Sequence, residues 1–487
     1  MKKINDFTRR QALQYAGGAL AGAAALPGRA IAADAPHPIT LKLAGYMAAA
    51  GAKSLPADAV EHAKHHILDT FAAMISGYDL PPGRVALKFA AAHNEEKVAT
   101  VAASKFVCSA TDAAMVNGML AHSDETDDSH APSHSHPGCS VVPAALAAGE
   151  QFGIDGTRFL RSVTLGYDIG TRITSTLGAL KYQMESHRST HSIASDFGAA
   201  AAAGCAAGFD EHRMRWLLDY AAQQASGIVA WQRDTEHVEK SLVFGGFPAR
   251  NGVAAALLIQ LGGSGVEDVF AGTDNFLLAF GAKHPIESLI DGLGERFEVS
   301  LTNIKKWTVG SPIQAVLDSI YNLQRKQLFG ADQVEKVTVR VASSEANTVN
   351  NRDMPDICLQ HMAAVMLIDK TASFEAAHDK PRMKDPAVLK QRAKVQLVFD
   401  EELEKLIPRR IAIVEIALTS GTKLTERVEA VRGSAENPME RKEVVTKAID
   451  LVTPILGSSK AAQLADTVLN IEKVKSIREL RPLLQVS

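Results

Sequence analysis

From Thr40 to about Gly281, apolar residues recur at helical spacing almost without interruption. Between Asp58 and Ile75 the side chains of Val60, Ile67, Leu68, Phe71 and Ile75 form one stripe that stops at Gly77, so the spacing predicts a helix with one buried face. Gly198 to Ala207 is almost pure Ala and Gly, and Asn251 to Leu261 repeats the theme, which fits helices pressed tightly against neighbours. Thr111 to His122 is apolar on the same period, with Asp112 in its first turn, and predicts a helix running to about Asp128.

The pattern changes after His284. Val334 to Val341 alternates apolar and polar positions, and Val395 to Phe399 is short and β-prone. Arg410 to Leu418 faces Lys423 to Val428 across Thr419-Ser420-Gly421-Thr422 as a hairpin. Helical periods lie between these strands, at Pro312 to Leu323 and Leu359 to Ile368. At Asn437-Pro438-Met439-Glu440 the order of cap, proline and acid predicts a new helix with Val444, Val445, Ala448, Leu451, Val452 and Ile455 inward. Another helix follows from Ala461 to Ile471. The expected fold class is mainly α with α+β: a large all-helical domain built from both chain ends (34–284 and 431–487), plus an inserted smaller α+β lid domain (285–430). A cleft between the two would be the natural place for a ligand.

A chain of 487 residues with 46% hydrophobic content can bury two cores. Residues 1–33 stand apart from that pattern. Lys2, Lys3, Arg9 and Arg10 precede the apolar run Tyr15 to Leu26 and the small residues Ala30-Ile31-Ala32-Ala33, the order of an export signal. Thr8-Arg9-Arg10-Gln11-Ala12-Leu13 resembles a twin-arginine signal, which predicts a periplasmic protein handed to the twin-arginine export machinery. The run is too short to span a bilayer, so no membrane span is expected in the mature form. Cleavage would remove five basic residues and one acid, moving the formal net charge from −3 to −7. No basic tract marks a nucleic-acid partner. Cys108, Cys139, Cys205 and Cys358 contain no C-x-x-C pair, which argues against an iron–sulfur cluster or structural zinc and assigns no disulfide.

The chemistry concentrates in His122 to Pro137, where sixteen residues hold four of the sixteen histidines and four carboxylates. At the end of a helix reaching Asp128, each of Asp124, Glu125, Asp127 and Asp128 would meet a negative dipole at a cost of a few tenths to about 1 kcal/mol. A basic side chain, a metal or a held proton should answer them. His122, Glu125 and Ser129 would share one face of that helix. The plain alternative is a solvated acidic helix end followed by exposed loop histidines, His130 and His134. His122, Glu125, Asp128 and His136 are also ligand types that suit a divalent cation.

Several stretches, in order, resemble the MmgE/PrpD family, which includes 2-methylcitrate dehydratase and cis-aconitate decarboxylase. They are Asn117-Gly118 leading into His122-x-x-Glu125-x-Asp127-Asp128-Ser129, His136-Pro137-Gly138, Pro143-Ala144-Ala145, Gly166-Tyr167-Asp168 and Phe197-Gly198-Ala199-Ala200. Lys240 ahead of Ala249-Arg250-Asn251-Gly252, then Lys306-Trp307 and Asn437-Pro438, complete the set over about residues 40–480. The resemblance implies a helical domain with an inserted lid, a homodimer, and a lyase that works on small di- or tricarboxylates without metal or other cofactor.

Carried over by position, the resemblance implies an acidic helix end at Glu125, Asp128 and Ser129, a loop histidine at His136 and a second histidine at His191, preferred to His187. The site lysines fall on Lys240 and Lys306, with Lys305 as a rival. In the implied reaction, a hydro-lyase dehydrating a 2-methylcitrate-like hydroxy acid, Lys240, Lys306 and Arg250 would neutralise substrate carboxylates, with His122 and Ser129 helping to position them. His136 and His191, with a reference pKa of about 6.5, would move the protons, and Glu125 or Asp128 would orient one of them. One departure keeps other outcomes open. Where several family members have a histidine after the lid lysine, this chain has Val309-Gly310-Ser311-Pro312. An isomerase, epimerase or decarboxylase on the same fold, or a non-enzymatic periplasmic carboxylate binder, are the alternatives.

Overall fold

Helical periodicity becomes helix across the first half of the chain: α1 (Ala57–Ser76), α2 (Ala110–Ala121), α3 (Gly138–Phe152), α4 (Gly156–Leu177), α5 (Thr190–Ala207) and α6 (Phe247–Gln260) frame the functional region. These come from a computed structural model that describes residues 35–486; the expected export segment at 1–33 lies outside them. Side-chain caps set several starts, with Ser109, Asp155 and Ser189 accepting from the backbone N–H three residues on in α2, α4 and α5. The Ala/Gly run of α5 has a steric cause. A Cβ added at Gly170 of α4 would collide with the carbonyl of Ala194 in α5, so these two helices pack backbone to backbone.

Between α1 and α2 the chain forms a two-residue ladder, β1 (Ala99–Thr100) with β2 (Val107–Cys108). The larger sheet has the order β4-β3-β5-β6, built from β3 (Val334–Ala342), β4 (Val395–Asp400), β5 (Ala412–Leu418) and β6 (Lys423–Val428). β3 runs parallel to β4 and antiparallel to β5, with Val337 opposite both Val395 and Ile416. Its alternating Val337, Val339 and Val341 are fully buried with α7 (Ser311–Lys326) and α8 (Leu359–Asp369). A short helix, α9 (Phe374–His378), follows.

Buried apolar side chains form two main clusters. One gathers residues from Leu43 to Ile304 together with Met439 to Leu484, including Val444, Leu451 and Leu464 from α10 (Arg441–Leu456) and α11 (Ser458–Leu469). The second runs from Trp307 to Val428. The chain passes from the first to the second beside the acidic loop: Ser129 and Asn303 exchange backbone hydrogen bonds of 3.0 and 2.8 Å. The continuous helical run Val238–Gln260 has the length and hydropathy of a membrane span, yet it packs as a core helix on α2 and α5. All four cysteines are buried and unpaired.

Two expected boundaries move. α2 ends at Ala121 with His122 as its C-cap, well short of Asp128. The residues beyond are Ser, Asp and Thr types whose side chains compete for backbone groups, and the Asp124 carboxylate accepts from the N–H of Thr126 at 3.0 Å. Residues 122–137 are therefore a loop, and His122, Glu125 and Ser129 share no helix face. α10 starts at Arg441, with Glu440 as the cap and Glu443 completing a capping box, rather than at Asn437. Asn437 instead closes a turn with Ser434 and accepts from Arg432 at 2.8 Å.

Candidate functional site

Two glycines bring the site together. Before α6 the chain makes a helical turn (Val238–Ser241) and then a π-helical turn (Leu242–Gly246). Gly245 lies so close to Gly118 of α2 that a Cβ on either would strike the carbonyl of the other. That contact places Lys240 beside the loop leaving α2, and the π-turn carries Phe244 into the same space.

Glu125 lies between two ammonium groups. Lys240 Nζ donates to its Oε1, while Lys305 Nζ donates to Oε2 at 3.2 Å and to the Glu125 carbonyl at 3.0 Å. Lys305 also stands 3.6 Å from Asp127 Oδ1. Asp127 in turn accepts from His122 Nδ1 at 2.9 Å and from His136 Nδ1 at 3.3 Å. His237 Nε2 approaches Glu125 to 3.8 Å. The Phe244 ring stacks between His122 and His191, with centroids at 4.6 and 4.2 Å, and His191 lies 5.3 Å from His136. All of these carboxylates and imidazoles are buried, and Nε2 of His122 and His237 and Nδ1 of His191 have no hydrogen-bond partner among the described residues.

The charges follow from that packing. Burial alone would raise the Glu125 carboxyl, but Lys240 and Lys305 hold it well below the usual range. Asp127 is likewise held down by His122, His136 and Lys305 against the effect of burial. Burial would discharge Lys305, and the two carboxylates outweigh it and raise its pKa. His136, His191 and His237 are pulled below the ordinary histidine value, chiefly by burial, with nearby cations adding to it. Two ammoniums therefore balance two carboxylates, beside the imidazoles of His136, His191 and His237, which burial keeps neutral near pH 7.

Of the expected residues, the structure brings Glu125, His122, His136, His191 and Lys240 together. Others go elsewhere. Lys306 points away: its Nζ lies over the rings of Trp307 and Tyr321 at 4.4 and 4.1 Å and 3.8 Å from Asp318. The neighbouring Lys305 occupies the site instead, because successive residues of an extended segment face opposite sides. Arg250 is on the solvent side of α6 and has no ion-pair partner among the described residues. Asp128 turns its carboxylate toward the helix wall, accepting from His66 Nδ1 at 2.8 Å, Gly138 N at 3.0 Å and the Tyr167 hydroxyl. It braces the start of α3, and Asp127 is the acid that faces the histidines. Ser129 is held by its backbone pairing with Asn303 and lines, with Lys305 and Arg410, a small adjoining pocket of about 130 Å³. His187 is exposed. His130 is not an exposed loop residue: it accepts from Ser133 N at 3.2 Å and meets Glu298 at 3.2 Å. His134 is half-buried, with the ring of His191 4.7 Å away.

Asp127 and His237 were missed as site residues. His237 carried a faint signal, three positions before Lys240 in an otherwise polar turn.

Two triads, His122/Asp127/His136 and His122/Glu125/His237, each bring three ligand-type atoms within 4.8 Å of one another. In both, the carboxylate already touches a lysine ammonium, so a divalent ion would be placed against Lys240 or Lys305. The donor types suit a metal; the charges around them do not.

Residues 41–289 match the MmgE/PrpD N-terminal domain and residues 307–473 the MmgE/PrpD C-terminal domain. The chain belongs to the MmgE/PrpD family. It is 24% identical over 469 residues to a cis-aconitate decarboxylase of Aspergillus terreus, covering 88% of this chain and 92% of that protein. The human cis-aconitate decarboxylase is 22% identical over 447 residues, 88% of this chain and 90% of its own, and the mouse protein 24% over 394, 77% and 78%. The family and these relatives point to an enzyme.

Proposed function

We propose that this protein is a lyase acting on a small hydroxylated di- or tricarboxylate, removing water after a proton is taken from the carbon beside a carboxylate. The observation that carries this reading is the pair Lys240 and Lys305, which converge on one carboxylate, Glu125, beside neutral imidazoles. A substrate carboxylate that takes the place of the Glu125 carboxylate between Lys240 and Lys305 would meet two ammoniums, and the same pair would answer the negative charge that develops when the C–H bond breaks. A neutral His136 or His191 accepts the proton. The electron pair left on carbon forms the double bond, and the hydroxyl on the next carbon departs with a proton from an N–H or O–H donor.

A second reading, decarboxylation of a cis-aconitate-like acid, is favoured by relatives of that name along nearly the whole chain. There a carbon–carbon bond breaks, CO₂ leaves, and the resulting carbanion takes a proton from an imidazole. One assay separates the two. Citrate, 2-methylcitrate and cis-aconitate are each incubated with the protein and followed by NMR and by CO₂ release. An alkene formed from a hydroxy acid with all carboxylates kept supports dehydration; CO₂ from cis-aconitate supports the second reading. Turnover of neither, or turnover unchanged in Lys240→Ala and His136→Ala, defeats both. The periplasmic destination and a homodimer remain part of the proposal, tested by cell fractionation and by sedimentation of the purified chain.

A further inference from the structure

The loop that carries Glu125 and Asp127 is gripped by cations from three distant parts of the chain. Lys305 donates to the Glu125 carbonyl at 3.0 Å, and Lys447 of α10 donates to the Thr126 carbonyl, also at 3.0 Å. The third is His378, at the end of α9, whose Nε2 stands 2.9 Å from Asp124 Oδ2. That Asp124 carboxylate is the one that folds the loop, accepting from the N–H and the hydroxyl of Thr126 between the two site acids.

We propose that His378 is a positioning residue: a cation supplied by the sheet-bearing part of the chain that fixes Asp124, and through it the directions of Glu125 and Asp127. It touches none of the site imidazoles or ammoniums itself. The geometry prepares it for this role, because its Nδ1 is engaged by the Phe374 carbonyl at 2.6 Å, leaving Nε2 to face Asp124. The groups that face it are acidic on both sides, Asp124 from the loop and Asp356 from the turn before α8. Burial would discharge the imidazole, and these two acids instead raise its pKa to about 9, so it is charged at neutral pH. Asp356 is itself raised to about 7, chiefly by burial.

The proposal rests on the loop being the reacting site, and the test is built so that the two can fail separately. Full-length wild type, His378→Gln and His378→Lys are compared by hydrogen-exchange mass spectrometry of peptides spanning 122–130 and by turnover of the acids named above. The expected result is exchange at least 10-fold faster in His378→Gln, with protection returning in His378→Lys, which keeps the cation. Turnover should fall about 10- to 100-fold in kcat with KM little changed, since misplacement of reacting groups acts on the chemical step. Loosened exchange that Lys rescues, without turnover of any acid by wild type, supports the positioning role and counts against the proposed reaction. Unchanged exchange in His378→Gln, or a His378→Lys variant no better than His378→Gln, overturns the positioning role whatever the turnover.

Discussion

Lys305 and Lys306 are adjacent in sequence and opposite in circumstance, which makes Lys305→Met against Lys306→Met a sharp test of the site. Lys305 has a 2% exposed side chain and stands 3.2 Å from Glu125 and 3.6 Å from Asp127. At an effective dielectric of about 20, each contact is worth roughly 5 kcal/mol before solvation is counted. Most of that is offset by the amine's own desolvation, and removing one partner of a buried pair costs about 3–5 kcal/mol net. Methionine keeps the apolar stem, so the loss is electrostatic rather than a cavity. Lys306 is 23% exposed, 3.8 Å from Asp318, and its loss should cost about 1 kcal/mol or less.

The acid limb supplies a second readout. Glu125 and Asp127 are depressed in the folded protein, so their contribution to stability is present above the ordinary carboxylate range and is lost as pH falls below it toward their depressed values. In Lys305→Met both rise, and part of that acid-linked stability disappears already at pH 7. Urea and thermal melts from pH 2 to 8, with turnover measured alongside, check this. Equal melting points and equal turnover for the two variants would show that Lys305 is not the buried counter-charge described here.

Other outcomes follow from the same geometry. Asp128→Asn should cost about 2–4 kcal/mol in melts, because three donors from His66, Tyr167 and Gly138 converge on a fully buried carboxylate; a melt within 0.5 kcal/mol of wild type would contradict it. Arg250→Ala, on the solvent face of α6, should change stability by no more than about 0.5 kcal/mol and leave turnover intact. His378 is raised, so its stabilising charge is fully present below about 6.5 and is lost as pH climbs through about 9. Melting points that fall over that interval in wild type but not in His378→Gln are the expected result.

Local chemistry was legible because it acts over a few residues. The stripe ending at Gly77, the alternation through Val337, Val339 and Val341, and the Thr419–Thr422 turn each report the side of an element that must be buried, and those elements formed. The crowding of acid and histidine after Leu120 marked the region of the site, since so many ionisable groups need partners to be buried. Which member of each neighbouring pair does so was not legible. Asp127 and Asp128, and Lys305 and Lys306, are the same residue types one position apart, and a single step along an extended segment turns a side chain to the opposite face. That choice was made by the Gly118–Gly245 contact and the Ser129–Asn303 bridge, which join segments far apart along the chain. His378 carries no local mark at all, because its charge depends on Asp124, which only the folded chain brings to it.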